Sequence, residues 1–377
     1  MGLTVLFNAG PWLPVPPLGY GGIETVVATL VPELRRAGVR VILATVGSST
    51  LEADGYVRPI EEPRFASVAA PYNQVSGIAH AHMHGVVAAL RDDPSIDLVH
   101  DHLEVVGPAV LAAMGDAAVP SLQTLHWDLG KHADFYSSFD GRGRVRFAAV
   151  SESQLDRAPT QLRTQTVGVV PLAVPEPPAM AVERGEHVLV LARITADKGQ
   201  DIAARACRRA GVPLVIAGPV AGIDSPADLE RRLADGDQGL AHHPDVRFYL
   251  DRLEPLVDGT QVQWIGGVSG DDKERLLQSA RALLAPLRWA EPGATGVVEA
   301  LGRGVPVIGT PLGVIPSLVE HGVTGYLAQS EDEFASYLHQ LDEIDPAACR
   351  AAVSAWTPEQ MTRRYLDLYD KVLEEAG

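Results

Sequence analysis

The sequence predicts an α/β protein of two doubly wound, Rossmann-like domains facing a central cleft. Three observations carry that expectation. Short apolar runs alternate with amphipathic segments almost from end to end, the signature of βαβ units and parallel sheets. The 377 residues exceed one typical domain and suit two, each able to bury a core. A stretch with four prolines between Pro171 and Pro178 separates two such patterns. The expected division is a first domain over 1–170, a linker over 171–178, a second domain over 179–355 and a final helix over 356–377.

In the first half, "TVLFN", "VRVILATV", "DLVHDH", "VPSLQTLH" and "RFAAVS" read as strands. Gly22 to Ala37 reads as a helix, with Ile23, Val26, Val27, Leu30 and Leu34 on one face, and Pro32 is expected to kink it or mark its middle. In the second half the strands are "HVLVLARI", "PLVIAGP", "VQWIG", "ALLAPL", "PVIGTP" and "GYLA". After Pro358, Met361, Tyr365, Leu368 and Leu373 recur at helical spacing.

Composition narrows the function classes. A net charge of −17 argues against nucleic acid or an anionic membrane as the main partner. Two cysteines, Cys207 and Cys349, make neither a disulfide framework nor a metal-ligand spacing, which points to a reducing cytoplasm. "MGLTVLFNAG" has no basic segment before its apolar run, so it reads as a first strand and not as a signal peptide. No run approaches 18 apolar residues.

Chemistry concentrates at the expected strand ends. "PWLPVPPLGYGGIE" joins the first strand to the first helix, but ten residues, four of them proline, separate "LFN" from Gly19. A dinucleotide fingerprint needs its glycines directly after the strand, so this loop is expected to reach over a cleft instead. Gly21 and Gly22 can still offer bare backbone N–H groups to an anion at the helix start; an ordinary glycine-capped surface loop is the alternative. "RITADKG" places Arg193 at a strand end and Lys198 before a helix, both suited to phosphate oxygens, though an Arg and a Lys in a loop are more often solvated. In "RWAEPGATGVVE" the helix amides from Ala294 to Gly296, with Gly293 and Thr295 beside them, suit a phosphate, while Glu291 and Glu299 flank that site. Carboxylates there fit hydroxyl groups on either side of a diphosphate: the layout of a nucleotide sugar.

Taken together, "GGIE", "TLH", "RITADKG", "EPGATGVVE" and "ALGRGVPVIGTPLGVIPSLVEHGVTGYLA" resemble glycosyltransferase family 4, retaining enzymes of the GT-B fold, over nearly the whole chain. The resemblance implies that Glu291 binds the donor sugar and Glu299 the ribose. By the same resemblance Arg193 and Lys198 bind the diphosphate, His126 sits beside the transferred sugar and Gly22 approaches the phosphate. Ile265, Gly266 and Val268 fall where family members pack the base, and Gly218 belongs to the same donor side. The last helix would cross back onto the N-terminal domain. Family members usually place a bulky residue and then glycine after Glu-Pro, where this chain has Gly293 and Ala294. "EPGAT" and "PPLGYGGIE" are similar to members that decorate small molecules in actinomycete antibiotic pathways.

The implied reaction moves a sugar from a nucleotide diphosphate sugar, UDP by family frequency, to a soluble small-molecule hydroxyl, with no cofactor and no metal. The acceptor pocket is expected on the first domain, from the 10–22 loop, Asp101 and His102 in "HDH", and "HWDLGKHADF" with Trp127; a plain strand terminus is the alternative for "HDH". His80, His82 and His84 in "HAHMH" are expected to be a solvated or acceptor-side cluster, not a zinc site. Two other readings stand beside the transferase: a sugar-nucleotide 2-epimerase of the same plan and a non-catalytic nucleotide-sugar-binding protein.

Overall fold

A computed structural model describes residues 2–68, 72–178, 180 and 182–376. The chain divides into two compact units, residues 1–175 with 356–377, and residues 176–355.

The first unit holds seven strands: β1 (Thr4–Asn8), β2 (Arg40–Val46), β3 (Gly55–Ile60), β4 (Leu98–Asp101), β5 (Ser121–Thr124), β6 (Val145–Ala149) and β7 (Thr166–Val169). They form one parallel sheet in the order β3-β2-β1-β4-β5-β6-β7. The alternation of side chains along a strand divides its core in two. Val5, Phe7, Val41, Leu43 and Leu98 join the cluster that includes Leu30 and Leu34 of the Gly22–Arg36 helix. Leu6, Ile42, Ala44 and Val99 join the opposite cluster, with Met83 and Val86 of the Tyr72–Asp92 helix. Helices thus cover both faces, which is why these strands read as continuous apolar runs.

Two strands were not legible beforehand. β3 lies at the sheet edge, half of it exposed and none of it buried, with Pro59 where only an edge strand tolerates it. β7 is the other edge, where Gly168 lets the strand approach Leu368 of the final helix: an added Cβ would stand 2.8 Å from its Cδ2. The Gly22–Arg36 helix continues through Pro32 without interruption.

The Pro358–Ala376 helix belongs to the first unit. Met361, Tyr365, Leu368, Tyr369 and Val372 share the cluster of Val5 and Phe7. The proline-rich stretch is only partly a connection: Leu172, Ala173 and Val174 are buried, Leu172 and Ala173 within that same cluster, and the division falls after Pro175. Apolar side chains between the prolines give this backbone something to bury, so the exposed run begins at Pro175.

The second unit holds β8 (Val188–Leu191), β9 (Leu214–Ala217), β10 (Val262–Gly266), β11 (Ala282–Ala285), β12 (Val307–Gly309) and β13 (Gly325–Leu327) in a parallel sheet ordered β10-β9-β8-β11-β12-β13. The strand order reverses between β8 and β11, and in the first unit between β1 and β4. At such a switch point the loops from the two strands diverge to opposite faces and leave a crevice at the carboxyl edge. Among the described residues no helix is long and apolar enough to cross a membrane.

Candidate functional site

The second unit gathers its chemistry at the β8/β11 switch point. Arg193 follows β8, and its carbonyl accepts a hydrogen bond from Gln200 Nε2 at 2.7 Å, which ties the turn to the start of the Gln200–Ala210 helix. Lys198 ends a short 3-10 turn over Ala196–Lys198, and its Nζ donates to Glu291 Oε2 at 2.5 Å. The Trp289 ring lies 4.9 Å from the same ammonium. Both partners are largely buried, with side chains 22% and 13% exposed, so solvent screens this pair weakly. Glu291 comes from the loop after β11; the bond therefore spans the switch point.

Glu299 lies in the Thr295–Gly302 helix with its side chain 9% exposed, and it accepts from Lys273 Nζ at 2.6 Å. Lys273 stands on the Gly270–Ser279 helix that follows β10. Sequence reasoning missed it, because a lysine in "GDDKE" looks like any solvated helix start. Arg303 adds a hydrogen bond to the Glu299 carbonyl at 2.8 Å and an ion pair to Glu274, fixing the helix end.

The start of that helix is set by strained and bare backbone. Ala294 caps it in the left-handed region at φ 48°, ψ 46°. Gly296 follows, where an added Cβ would stand 3.5 Å from the Leu191 carbonyl oxygen, so the first-turn amides lie beside the end of β8. Gly293 is buried, and Thr295 is the first helical residue. Gly313 was not singled out from the sequence, yet it carries the loop. At φ +62° an added Cβ would stand 2.2 Å from the Glu291 carbonyl oxygen, and the next residue, Val314, donates its N–H to that oxygen at 2.9 Å. Here the "GTPLGVIP" run has a physical reason: the backbone of one loop supports the other.

The remaining donor-side candidates also lie at strand ends. Gly218 follows β9, where an added Cβ would meet the Ala192 carbonyl oxygen at 2.0 Å. Gly266 ends β10, Ile265 is 41% exposed and Val268 is partly exposed in the following loop.

In the first unit the sequence candidates separate. Gly21 caps the Gly22–Arg36 helix, and Gly22 has open space where a Cβ would stand. Glu24, one turn in, is 5% exposed, and burial pushes its carboxyl up to about 7. Asp101, read above as pocket lining, is 0% exposed. Its Oδ1 accepts from Asn8 Nδ2 at 2.7 Å and the Leu103 N–H at 3.1 Å, and its Oδ2 accepts from Gln123 Nε2 at 3.1 Å. Burial raises this carboxyl to about 7 despite those donors. It ties the ends of β1, β4 and β5 together instead of meeting a ligand.

His102 is likewise buried, at 2% exposure, and bonded to His126. His126 follows β5 and is half-buried; burial pushes its imidazole down to about 3, so it is neutral at physiological pH. Trp127 is partly exposed, with its indole N–H donating to the Tyr136 hydroxyl at 2.5 Å. The "HAHMH" histidines are not one cluster. His80 and His84 are exposed, while His82 is buried and bonds Asn8 Oδ1 through Nε2 at 2.7 Å. The i, i+2 spacing on a helix explains the split, since successive even positions do not share a face. Among the described residues no three of His, Cys, Asp or Glu are grouped so as to hold a metal ion.

Comparison with known proteins gives a consistent picture. A family model described as Glycosyl transferases group 1 matches residues 179–352, and one described as Glycosyltransferase Family 4 matches residues 20–172. The amylovoran biosynthesis glycosyltransferase AmsK of Erwinia amylovora is 29% identical over 162 residues, 40% of this chain. That match spans 34% of AmsK, about a third of the relative's length. Among solved structures, AviGT4, a glycosyltransferase involved in avilamycin A biosynthesis, is 25% identical, with 99% of this chain and 98% of that one covered and a TM-score of 0.60. HepE of Anabaena, solved with UDP and glucose, shares the fold at 16% identity and a TM-score of 0.66, over 98% of this chain and 100% of HepE.

Proposed function

Because this chain belongs to the glycosyltransferases, with a family 4 N-terminal part and a group 1 C-terminal part, we propose that it moves a hexosyl-type sugar from a nucleotide diphosphate sugar to a soluble small-molecule hydroxyl. The observation that carries this reading is the paired charge at the β8/β11 switch point: Lys198 with Glu291, and Lys273 with Glu299, on either side of one helix start. Phosphate oxygens take hydrogen bonds from Arg193, Lys198 and the first-turn amides. Glu291 and Glu299 accept from the hydroxyls of the sugar and the ribose, and Ile265, Gly266 and Val268 pack the base. UDP is the proposed nucleotide, which HepE's complex with UDP and glucose supports. The soluble small-molecule acceptor draws support from the role of AviGT4 in avilamycin A biosynthesis.

As the bond from the anomeric carbon to the phosphate oxygen lengthens, charge builds on the leaving diphosphate. Arg193, Lys198 and the helix amides stabilise it, which is the work a divalent metal would otherwise do, so transfer is metal-independent in this proposal. The acceptor oxygen bonds to the same face of the anomeric carbon. Its proton passes to the departing phosphate oxygen, and configuration is retained. His126, neutral, contacts a hydroxyl of the transferred sugar.

The test is a transfer assay with UDP-sugars in EDTA, followed by proton NMR of the first product. Nucleotide release in EDTA with a retained anomer is the expected outcome. Activity that needs added manganese, or an inverted product, would overturn the corresponding part of the proposal.

A further inference from the structure

We propose that His102 is a positioning residue that fixes the ring tautomer of His126, so that His126 presents an Nδ1–H donor to its ligand. The inference rests on the reading of His126 as a sugar contact for its consequence, but not for the tautomer itself.

The geometry is specific. His102 Nδ1 and His126 Nε2 are 2.7 Å apart, with ring centroids separated by 5.0 Å and planes inclined by only 26°. Nearly coplanar rings at that separation share one in-plane proton between facing nitrogens. Two arrangements are open. If His126 donates from Nε2, the proton of His102 sits on its own Nε2, and that atom is buried with no hydrogen-bond partner among the described residues. If His102 donates from Nδ1, its Nε2 is a bare lone pair. Buried N–H groups left without a partner are rarer in folded proteins than under-satisfied acceptors. The second arrangement therefore holds, and His126 carries its proton on Nδ1.

The column behind His102 keeps it from turning. Phe7 lies on one side at 5.1 Å between centroids, and His100 lies at 4.3 Å. His100 is held at both nitrogens, by the Tyr369 hydroxyl at 2.7 Å and Thr124 Oγ1 at 2.8 Å; Thr124 in turn meets the Tyr365 hydroxyl at 2.9 Å. Nδ1 of His126 has no partner among the described residues, and the ring is half-buried. Presented as a donor, it recognises a hydroxyl or phosphate oxygen and cannot serve as a general base. Free histidine prefers the opposite tautomer, and here both rings carry the less favoured one: His102 because its buried Nε2 has no partner among the described residues, and His126 because His102 donates to its Nε2.

Nitrogen-15 ring spectra of the full chain labelled at histidine, with His126 assigned by a His126→Gln variant, read the tautomer without any activity. An Nδ1–H His126 is expected in the wild type; Nε2–H would overturn the proposal. His102→Leu should revert His126 to Nε2–H. It should lower turnover by about 10- to 100-fold, with donor affinity nearly unchanged. His102→Asn, whose amide nitrogen stands where Nδ1 stood, should restore both. Low turnover in His102→Asn despite a restored Nδ1–H would refute the positioning role. Normal turnover in His126→Ala would remove the sugar contact while leaving the spectral result to decide the tautomer.

Discussion

Lys198 donates to Glu291, and Lys273 to Glu299, so each carboxylate named by the sequence is kept in place by an ammonium. Lys198 is asked to do more, because in the proposed reaction it also meets the leaving diphosphate. Losing one charged donor at a developing oxyanion costs roughly 2.7–4 kcal/mol, so Lys198→Ala and Arg193→Ala are each expected to lower turnover by about 10²–10³. Steady-state rates with a UDP-sugar check this, and a variant within twofold of the wild type would contradict it. Glu299→Ala and Lys273→Ala should act on donor affinity instead, since ribose contacts change little between ground and transition states. The two side chains bond each other, so their effects should not add: a double-mutant cycle on the donor dissociation constant should give a coupling of about 0.5–3 kcal/mol. Simple additivity would place Glu299 and Lys273 in separate roles. Glu291 and Glu299 could be read from the sequence because two carboxylates around a bare-backbone loop are an unusual combination. Lys273 could not, because its meaning lies in a contact 26 residues away.

The loop over 286–294 shows what an element can add to its residues. The family pattern puts glycine where this chain has Ala294, and the structure holds that alanine left-handed at φ 48°. For a residue with a Cβ this conformation costs roughly 1–2 kcal/mol, part of which glycine would return as unfolded-state entropy. Ala294→Gly is therefore expected to raise stability by up to about 1 kcal/mol, read from a urea midpoint at unchanged slope. A lowered midpoint would show that the alanine methyl packs better than the backbone suffers. Gly313→Ala should do the reverse. Its methyl would collide with the Glu291 backbone and displace the carboxylate, and a shift of about 1 Å at a reacting site can cost 10²-fold in rate. Turnover and Tm measured together check that the loss exceeds any unfolding. Interior strands were legible because both their faces are buried and read as unbroken apolar runs. Edge strands β3 and β7 were not, because neither has a buried residue to give it an apolar run, whereas the edges β10 and β13 do.

At the scale of the whole molecule, the first unit carries a set of buried ionisable groups with a shared pH signature. Burial holds His82 at about 4 and His126 at about 3, and keeps His100 and His102 well below their ordinary range. Glu24 and Asp101 are raised to about 7. Between about pH 4.5 and 6.5 the unfolded chain takes up protons on four histidines that the native state refuses, while the native state keeps protons on two carboxyls that the unfolded chain has released. The histidines outnumber the carboxyls, so the unfolded state binds more protons and stability falls as pH falls, by roughly 2–3 kcal/mol per pH unit. Above about pH 7 the histidine contribution fades and the carboxyls favour lower pH, so stability should peak near pH 7. Urea midpoints at pH 5.5, 6.5 and 7.5 check the sign, and a midpoint higher at 5.5 than at 6.5 would contradict it. None of this was visible in the sequence, where "HDH" and "TLH" marked a site but not the depth of its histidines. The α/β class and the family were visible, because they rest on periodicity and on runs of motif along the chain. The central claim is that the β8/β11 edge binds a nucleotide sugar, and thermal stabilisation by UDP-, GDP- and ADP-sugars tests it most directly. A ligand at 100 times its dissociation constant adds about 2.7 kcal/mol, so at least one donor should raise the Tm of the wild type and raise that of Glu299→Ala much less. No shift with any nucleotide sugar, or an equal shift in Glu299→Ala, would contradict the account.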